Sequence, residues 1–142
     1  MSTNNIFIAG HNGMVGSAIL KKLKDEKKNV LFKKRSNLNL LDQNKVFNFF
    51  KKKKINELYI CAAKVGGIYA NSNYPANFIY ENLAIASNLI HAAYLNKIKK
   101  ILYLGSSCIY PKNIKRPISE KDLLNGKLET TNEFYSIAKI AG

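Results

Sequence analysis

A chain of 142 residues, 46% hydrophobic and 23% charged, has enough apolar side chain for one packed core but too little length for two ordinary domains, which excludes a disordered chain. No apolar run approaches the roughly 20 residues that cross a bilayer, and Met1-Ser2-Thr3-Asn4-Asn5 lacks the basic-then-apolar order of an export signal; we expect a cytoplasmic protein without membrane contact. The formal charge of +14 raises nucleic acid as a partner, but Lys21 to Lys28 and Lys51 to Lys54 sit in helix-like stretches without interleaved aromatics, the mark of solvated faces, so only weak attraction to polyanions at low salt is expected.

In chain order, Ile6-Phe7-Ile8-Ala9 is a short apolar run ending in a glycine turn. Val15, Ala18, Ile19 and Leu23 then recur at helical spacing over Met14 to Lys24, which reads as strand, tight turn, helix. Val30-Leu31-Phe32 predicts a second strand, followed by the basic cluster Lys33-Lys34-Arg35. Asp42 is a candidate cap for a helix whose buried face would carry Val46, Phe49 and Phe50. Leu58 to Ala63 and Ile101 to Leu104 are further apolar runs. Between them a helix is expected from about Pro75 to Asn96, with Phe78, Asn82, Ile85, Leu89 and Ala93 along one stripe.

Strands that alternate with helices pair in parallel through right-handed crossovers. The expected fold class is therefore α/β, a Rossmann-like doubly wound parallel sheet with helices on both faces. Pro111 to Thr131 breaks the pattern with Pro111, Pro117 and Gly126 amid mixed charge, and reads as an active-site loop. Helical character resumes at Glu133 and stops in mid-helix at Gly142. Residues 1–142 are thus expected to form one incomplete dinucleotide-binding domain, truncated before a substrate domain.

The turn Gly10-His11-Asn12-Gly13-Met14-Val15-Gly16 spaces its glycines by three between a strand and a helix. Gly10 permits the tight turn, Gly13 lets the backbone approach a pyrophosphate, and Gly16 allows helix and strand to close on each other. The helix N-terminus adds N–H donors and partial positive charge. At the end of the second strand, where an acid would favour NAD, stands Arg35 with its lysine neighbours, and a guanidinium holds a phosphate bidentately; NADP(H) is the expected cofactor.

Tyr135 and Lys139 lie four residues apart, on one face of a helix. A nearby ammonium is expected to stabilise the phenolate and so bring Tyr135 closer to proton exchange at neutral pH. Ser106, just past the fourth apolar run, is placed to hydrogen-bond a substrate carbonyl. Cys108 reads either as a small buried apolar residue or, two residues after Ser106, as a reactive thiol. Cys61 and Cys108 lie far apart, so neither a disulfide framework nor a metal site is expected.

The motifs Phe7 to Gly16, Ala62-Ala63-Lys64-Val65-Gly66-Gly67-Ile68, Gly105-Ser106-Ser107-Cys108-Ile109-Tyr110-Pro111 and Tyr135-x-Ile137-Ala138-Lys139 together resemble the GDP-L-fucose synthases, within the extended short-chain dehydrogenases. Leu38-Asn39-Leu40-Leu41-Asp42 and Tyr74-Pro75-Ala76 extend the likeness along the chain. The resemblance implies an NADPH-dependent, multifunctional enzyme of nucleotide-sugar biosynthesis: an isomerase that epimerises GDP-4-keto-6-deoxymannose at C3 and C5, and an oxidoreductase that reduces it at C4. It implies that Tyr135 protonates the C4 alkoxide, Lys139 tunes Tyr135 and holds the ribose, Ser106 orients the ketone and Cys108 is the epimerisation base. It places the cofactor against Gly10, His11, Asn12, Gly13, Met14, Val15, Gly16, Arg35, Asn39, Leu40, Ala62, Ala63, Leu104, Gly105, Ser106, Ser107, Tyr135 and Lys139.

Two departures stand out against that resemblance. Asn12 occupies a position where the family often has arginine, and the family's histidine acid has no counterpart here, since His11 and His91 fall in the glycine turn and a helix. The fragment alone is expected to turn over little substrate. A homodimer through the helices at Pro75 to Asn96 and from Tyr135 onward is also implied. The rival readings are another NAD(P)-dependent nucleotide-sugar epimerase or reductase, and a non-catalytic NADP(H)-binding module.

Overall fold

The computed structural model describes residues 4–142; the expectation about an export signal, which falls on Met1 to Thr3, lies outside them. The chain divides into two compact units, one running to Ala63 and taking in Ala84–Leu104, the other formed by Lys64–Leu83 and Gly105–Gly142.

The first unit is built on four strands, β1 (Asn5–Ala9), β2 (Asn29–Phe32), β3 (Glu57–Ile60) and β4 (Lys100–Tyr103), in the order β2-β1-β3-β4. Every pairing is parallel: Ile6 faces Val30 on one side and Glu57 on the other, and Glu57 faces Lys100. Helices α1 (Met14–Asp25), α2 (Gln43–Lys53) and the long α4 (Pro75–Leu95) provide the crossovers that parallel pairing demands. Strand alternation sorts the side chains between two faces. Phe7, Ala9, Leu58 and Ile60 pack with Val46 and Phe50 of α2 and with Leu89, Ala92 and Ala93 of α4. Ile6 and Ile8 turn the other way, onto Leu23, Ile19 and Leu20 of α1. Helices thus cover both faces, as the sequence pattern requires. Each fully buried Phe or Leu in this core contributes about 1.5–3 kcal/mol.

Asp42 does cap α2, accepting from the Lys45 N–H at 3.0 Å. Several local expectations need correction. Val15 and Ala18 are exposed rather than buried, because Gly16 lies so close to the turn that α1 presents Gly16, Ile19, Leu20 and Leu23 to the sheet instead. The third strand stops at Ile60, before Ala62 and Ala63: after the Cys61 N–H bonds to Ala9 O, β1 turns away and leaves no backbone to pair with. Phe49 is only half-buried, packed on the core rather than inside it.

The second unit holds α3 (Ile68–Asn73), the first turns of α4 and α5 (Glu133–Ala141). Helix α3 lies where the sequence pattern showed nothing regular. The segment Pro111 to Thr131 is irregular as expected, but holds a 3-10 turn at Glu120–Asp122 and the start of another at Thr130–Asn132. It is pinned by a two-pronged contact of Arg116 with the Asp122 carboxylate, which also accepts from the Ser119 N–H at 2.8 Å. Asn82, 3% exposed, clamps the segment after β3: its Oδ1 accepts from the Lys64 N–H (2.8 Å) and its Nδ2 donates to Lys64 O (3.0 Å). The Lys64 ammonium in turn reaches Glu81 at 2.6 Å.

Candidate active site

The glycine turn follows directly on the end of β1. Gly10 has φ +88, and a Cβ there would stand 2.5 Å from the Ala62 nitrogen, so backbone conformation and close approach both demand glycine. A Cβ on Gly16 would come within 2.1 Å of Gly10 O. Gly13 differs: a Cβ there would meet only Gly10 O, at an ordinary 3.5 Å. The protein itself therefore does not require glycine at 13, which leaves an unfilled approach to the first turn of α1. That helix starts on Gly13 with no side-chain cap and no acid in its first turn. Open N–H donors at a positive helix end, reached over a bare Cα, fit a diphosphate.

Around this turn, His11 is 7% exposed and lies against Phe32, ring centroids 4.8 Å apart. Burial first, and the Lys34 charge second, push its imidazole below the ordinary range, so it stays neutral. Asn12, Met14 and Val15 are exposed, as are Lys33, Lys34 and Arg35 beyond β2. Ala62 lies beside Gly10, and Ala63 follows it. Asn39 Oδ1 accepts from the Leu41 N–H, and Leu40 O accepts from Asn88, which fixes that loop against α4. Leu104 N–H bonds to Ile60 O and closes β4.

In the second unit Ser106, Cys108, Tyr135 and Lys139 come together. Gly105 and Ser107 flank Ser106, both exposed. Ser106 Oγ accepts from the Cys108 N–H at 3.3 Å, which starts the 3-10 turn Ser107–Ile109, and its side chain acts on the Tyr135 hydroxyl. The Lys139 ammonium lies 5.8 Å from the Tyr135 ring centroid, on a residue 7% exposed. The Tyr135 hydroxyl departs from the sequence expectation. Burial raises it above the ordinary phenol range, the Ser106 side chain only partly offsets this, and the nearby Cys108 raises it further. The shift runs against the lowering expected from Lys139 because desolvation of the hydroxyl dominates it. Tyr135 is held in its protonated form, the form a proton donor needs.

Asn132 escaped the sequence reading altogether. Its Nδ2 donates to Cys108 Sγ at 3.3 Å, while the fully buried Ser136 donates to Asn132 O (3.0 Å) and Oδ1 (3.2 Å) and fixes which way the amide points. An asparagine three residues before Tyr135 gives no pattern that spacing alone would flag. Among the described residues no group of His, Cys, Asp and Glu could hold a metal, and no helix is long and apolar enough to cross a membrane.

A parallel four-stranded sheet with a glycine turn feeding an uncapped helix defines a Rossmann-like, dinucleotide-binding fold. The pattern of the NAD dependent epimerase/dehydratase family matches residues 6–142, and the chain belongs to that family. It is similar to the GDP-L-fucose synthase of Escherichia coli (strain K12), 55% identical over all of this chain and 44% of that relative. Among solved structures it is similar to one titled DdhaC, 50% identical with a TM-score of 0.94, covering 99% of this chain and 41% of that one. It is also similar to MlghC, a GDP-mannoheptose C4 reductase from Campylobacter jejuni with NADP bound, at 40% identity and a TM-score of 0.93 over 99% of this chain and 45% of that one. The chain thus spans less than half the length of each of these relatives.

Proposed function

We propose that this chain is the dinucleotide-binding part of a GDP-L-fucose synthase, which converts GDP-4-keto-6-deoxymannose to GDP-L-fucose by epimerisation at C3 and C5 and NADPH-dependent reduction at C4. The observation that carries the reading is the joining of Ser106, Cys108, Tyr135 and Lys139 in one unit, with burial holding Tyr135 in its protonated form. Identity of 55% to a relative named for that activity supports it. The reading assigns the sugar pocket and the histidine acid to further residues of a longer protein, so residues 1–142 alone turn over little substrate.

The glycine turn accepts the diphosphate, and Arg35 with Lys33 and Lys34 accepts the 2'-phosphate that separates NADPH from NADH. NADPH, when bound, supplies the hydride for C4. Cys108 removes the protons at C3 and C5, which the neighbouring ketone makes acidic, and Asn132 holds its sulfur in place. Ser106 donates to the C4 carbonyl oxygen. Tyr135 gives its proton to that oxygen as the carbonyl becomes an alcohol, and Lys139 holds the nicotinamide ribose beside it. The reading takes the protein as a cytoplasmic homodimer with no nucleic-acid partner, its dimer contacts on α4 and α5.

A second reading, a C4 reductase acting on another GDP-linked keto sugar, is favoured by the 40% identity to MlghC. Incubating the full-length protein with GDP-4-keto-6-deoxymannose and NADPH separates the two. GDP-L-fucose with deuterium from solvent at C3 and C5 supports the first reading; reduction without exchange at either carbon supports the second.

A further inference from the structure

The proposed chemistry uses only one end of the sheet. In a parallel sheet all strands start at the same end, and the crossover helices finish there; the glycine turn lies at the opposite end, where β1 exits. At the end of the first unit where the strands start is a cavity of about 570 Å³ bordered by Lys51, Lys54, Lys97, Lys99 and Lys100, with Asn56, Asn96 and Glu57.

Lysines are common at helix C-termini, where the last carbonyls attract cations. That accounts for Lys51 in the last turn of α2, but not for the rest. The carbonyls of Lys53 and Lys54 already accept from Asn5 Nδ2, at 3.0 and 3.1 Å. Helix α4 has no basic residue in its last turn, and its end is closed by backbone bonds from Lys97 to Tyr94 O and from Ile98 to Ala93 O. Lys97, Lys99 and Lys100 come after it and converge on the same cavity. Glu57 is the acid on the rim, and its carboxylate is committed to Lys100 (2.9 Å) and Asn4 (2.9 Å), which hold it below the ordinary range. No ion pair engages Lys51, Lys54, Lys97 or Lys99 among the described residues. Four like charges around one concavity repel each other until an anion enters.

We infer that this cavity binds a compact anion bearing several phosphate charges, at a site separate from the glycine turn. Its size and concavity favour a small polyphosphate or phosphate ester over an extended nucleic-acid backbone, which needs a long basic track.

The test titrates the protein with sodium tripolyphosphate by calorimetry at constant ionic strength, with and without excess NADPH. Saturable binding that NADPH leaves in place is expected, weakened at least tenfold in a Lys54→Asn/Lys97→Asn/Lys99→Gln variant. Asparagine suits positions 54 and 97 because both have positive φ, 45 and 55, so the variant keeps its fold. A control that removes charge elsewhere, Lys112→Gln/Lys115→Gln, is expected to bind as the parent does. Absence of saturable binding, displacement by NADPH, equal weakening in the control, or binding of poly(U) with tripolyphosphate silent would each overturn the inference.

Discussion

The amide of Asn132 donates to the sulfur of Cys108 at 3.3 Å, and Ser136 beneath it sets the direction of that amide. Under the proposed function, a side chain that holds the Cys108 sulfur in position without touching the C4 oxygen should matter to epimerisation more than to reduction. In the full-length protein Asn132→Ala is expected to slow deuterium exchange at C3 and C5 by about tenfold, the equivalent of one hydrogen bond. Reduction of an already epimerised ketone should change less than twofold or so on the same scale. Equal losses in both steps would make Asn132 a general structural residue.

Tyr135 should reveal its protonated state directly. The ultraviolet titration of the parent minus that of Tyr135→Phe isolates one phenol, and its ionisation is expected above the ordinary value of 10.0, because burial disfavours the phenolate. The same variant should lose C4 reduction by about 10²–10⁴-fold, the usual contribution of a positioned proton donor. Ionisation below the ordinary value would return Tyr135 to the Lys139-tuned phenolate that the sequence suggested.

The three glycines of the turn should separate stability from binding. Gly10→Ala forces a Cβ against Ala62 at a positive φ, and Gly16→Ala forces one against Gly10 O; each is expected to destabilise the protein by about 2–4 kcal/mol in urea unfolding. Gly13→Ala has space within the protein and should unfold within about 0.5–1 kcal/mol of the parent, yet bind NADPH at least tenfold more weakly. Undiminished NADPH binding by Gly13→Ala would remove the diphosphate from that position.

Acid should loosen the segment that follows Pro111. Arg116, then the Ser119 N–H, holds the Asp122 carboxyl at about 2, against an ordinary value of 3.8. A depressed folded-state value means that the stabilisation is complete above 3.8 and is lost as pH falls from there toward 2. Proteolysis within Pro111 to Thr131 is expected to accelerate over that window in the parent. Asp122→Asn should be cut faster at neutral pH and show no acceleration between those values; a parent-like profile would place the anchor elsewhere.

Much of the first unit was legible because its signals are local. Ile6 to Ala9 form an unbroken apolar run suited to a buried strand, the turn that follows demands glycine at 10 and 16, and Asp42 is a capping residue ahead of a helical stripe. The orientation of α1 was misread because Val15 and Ala18 fit the periodicity as well as Leu20 does, and the close approach at Gly16 decides between them. Helix α3, six residues long, shows too few turns for a period, and Asn71 supports it by donating to Gly66 O and Gly67 O, a contact no spacing announces. Ser106, Tyr135 and Lys139 were legible as types in order. The direction of the Tyr135 shift was not, since it depends on burial of the hydroxyl, which no spacing announces.

Everything in the functional account depends on the turn between β1 and α1 receiving the diphosphate of NADPH, with Arg35 reading its extra phosphate. Calorimetric titration of the full-length protein with NADPH and NADH, in the parent and in Arg35→Asp, tests this most directly. The account predicts one NADPH per chain, and a loss on Arg35→Asp of about 1.5–3 kcal/mol for NADPH, near tenfold to a hundredfold, with NADH little affected. A folded protein that binds neither nucleotide would contradict it.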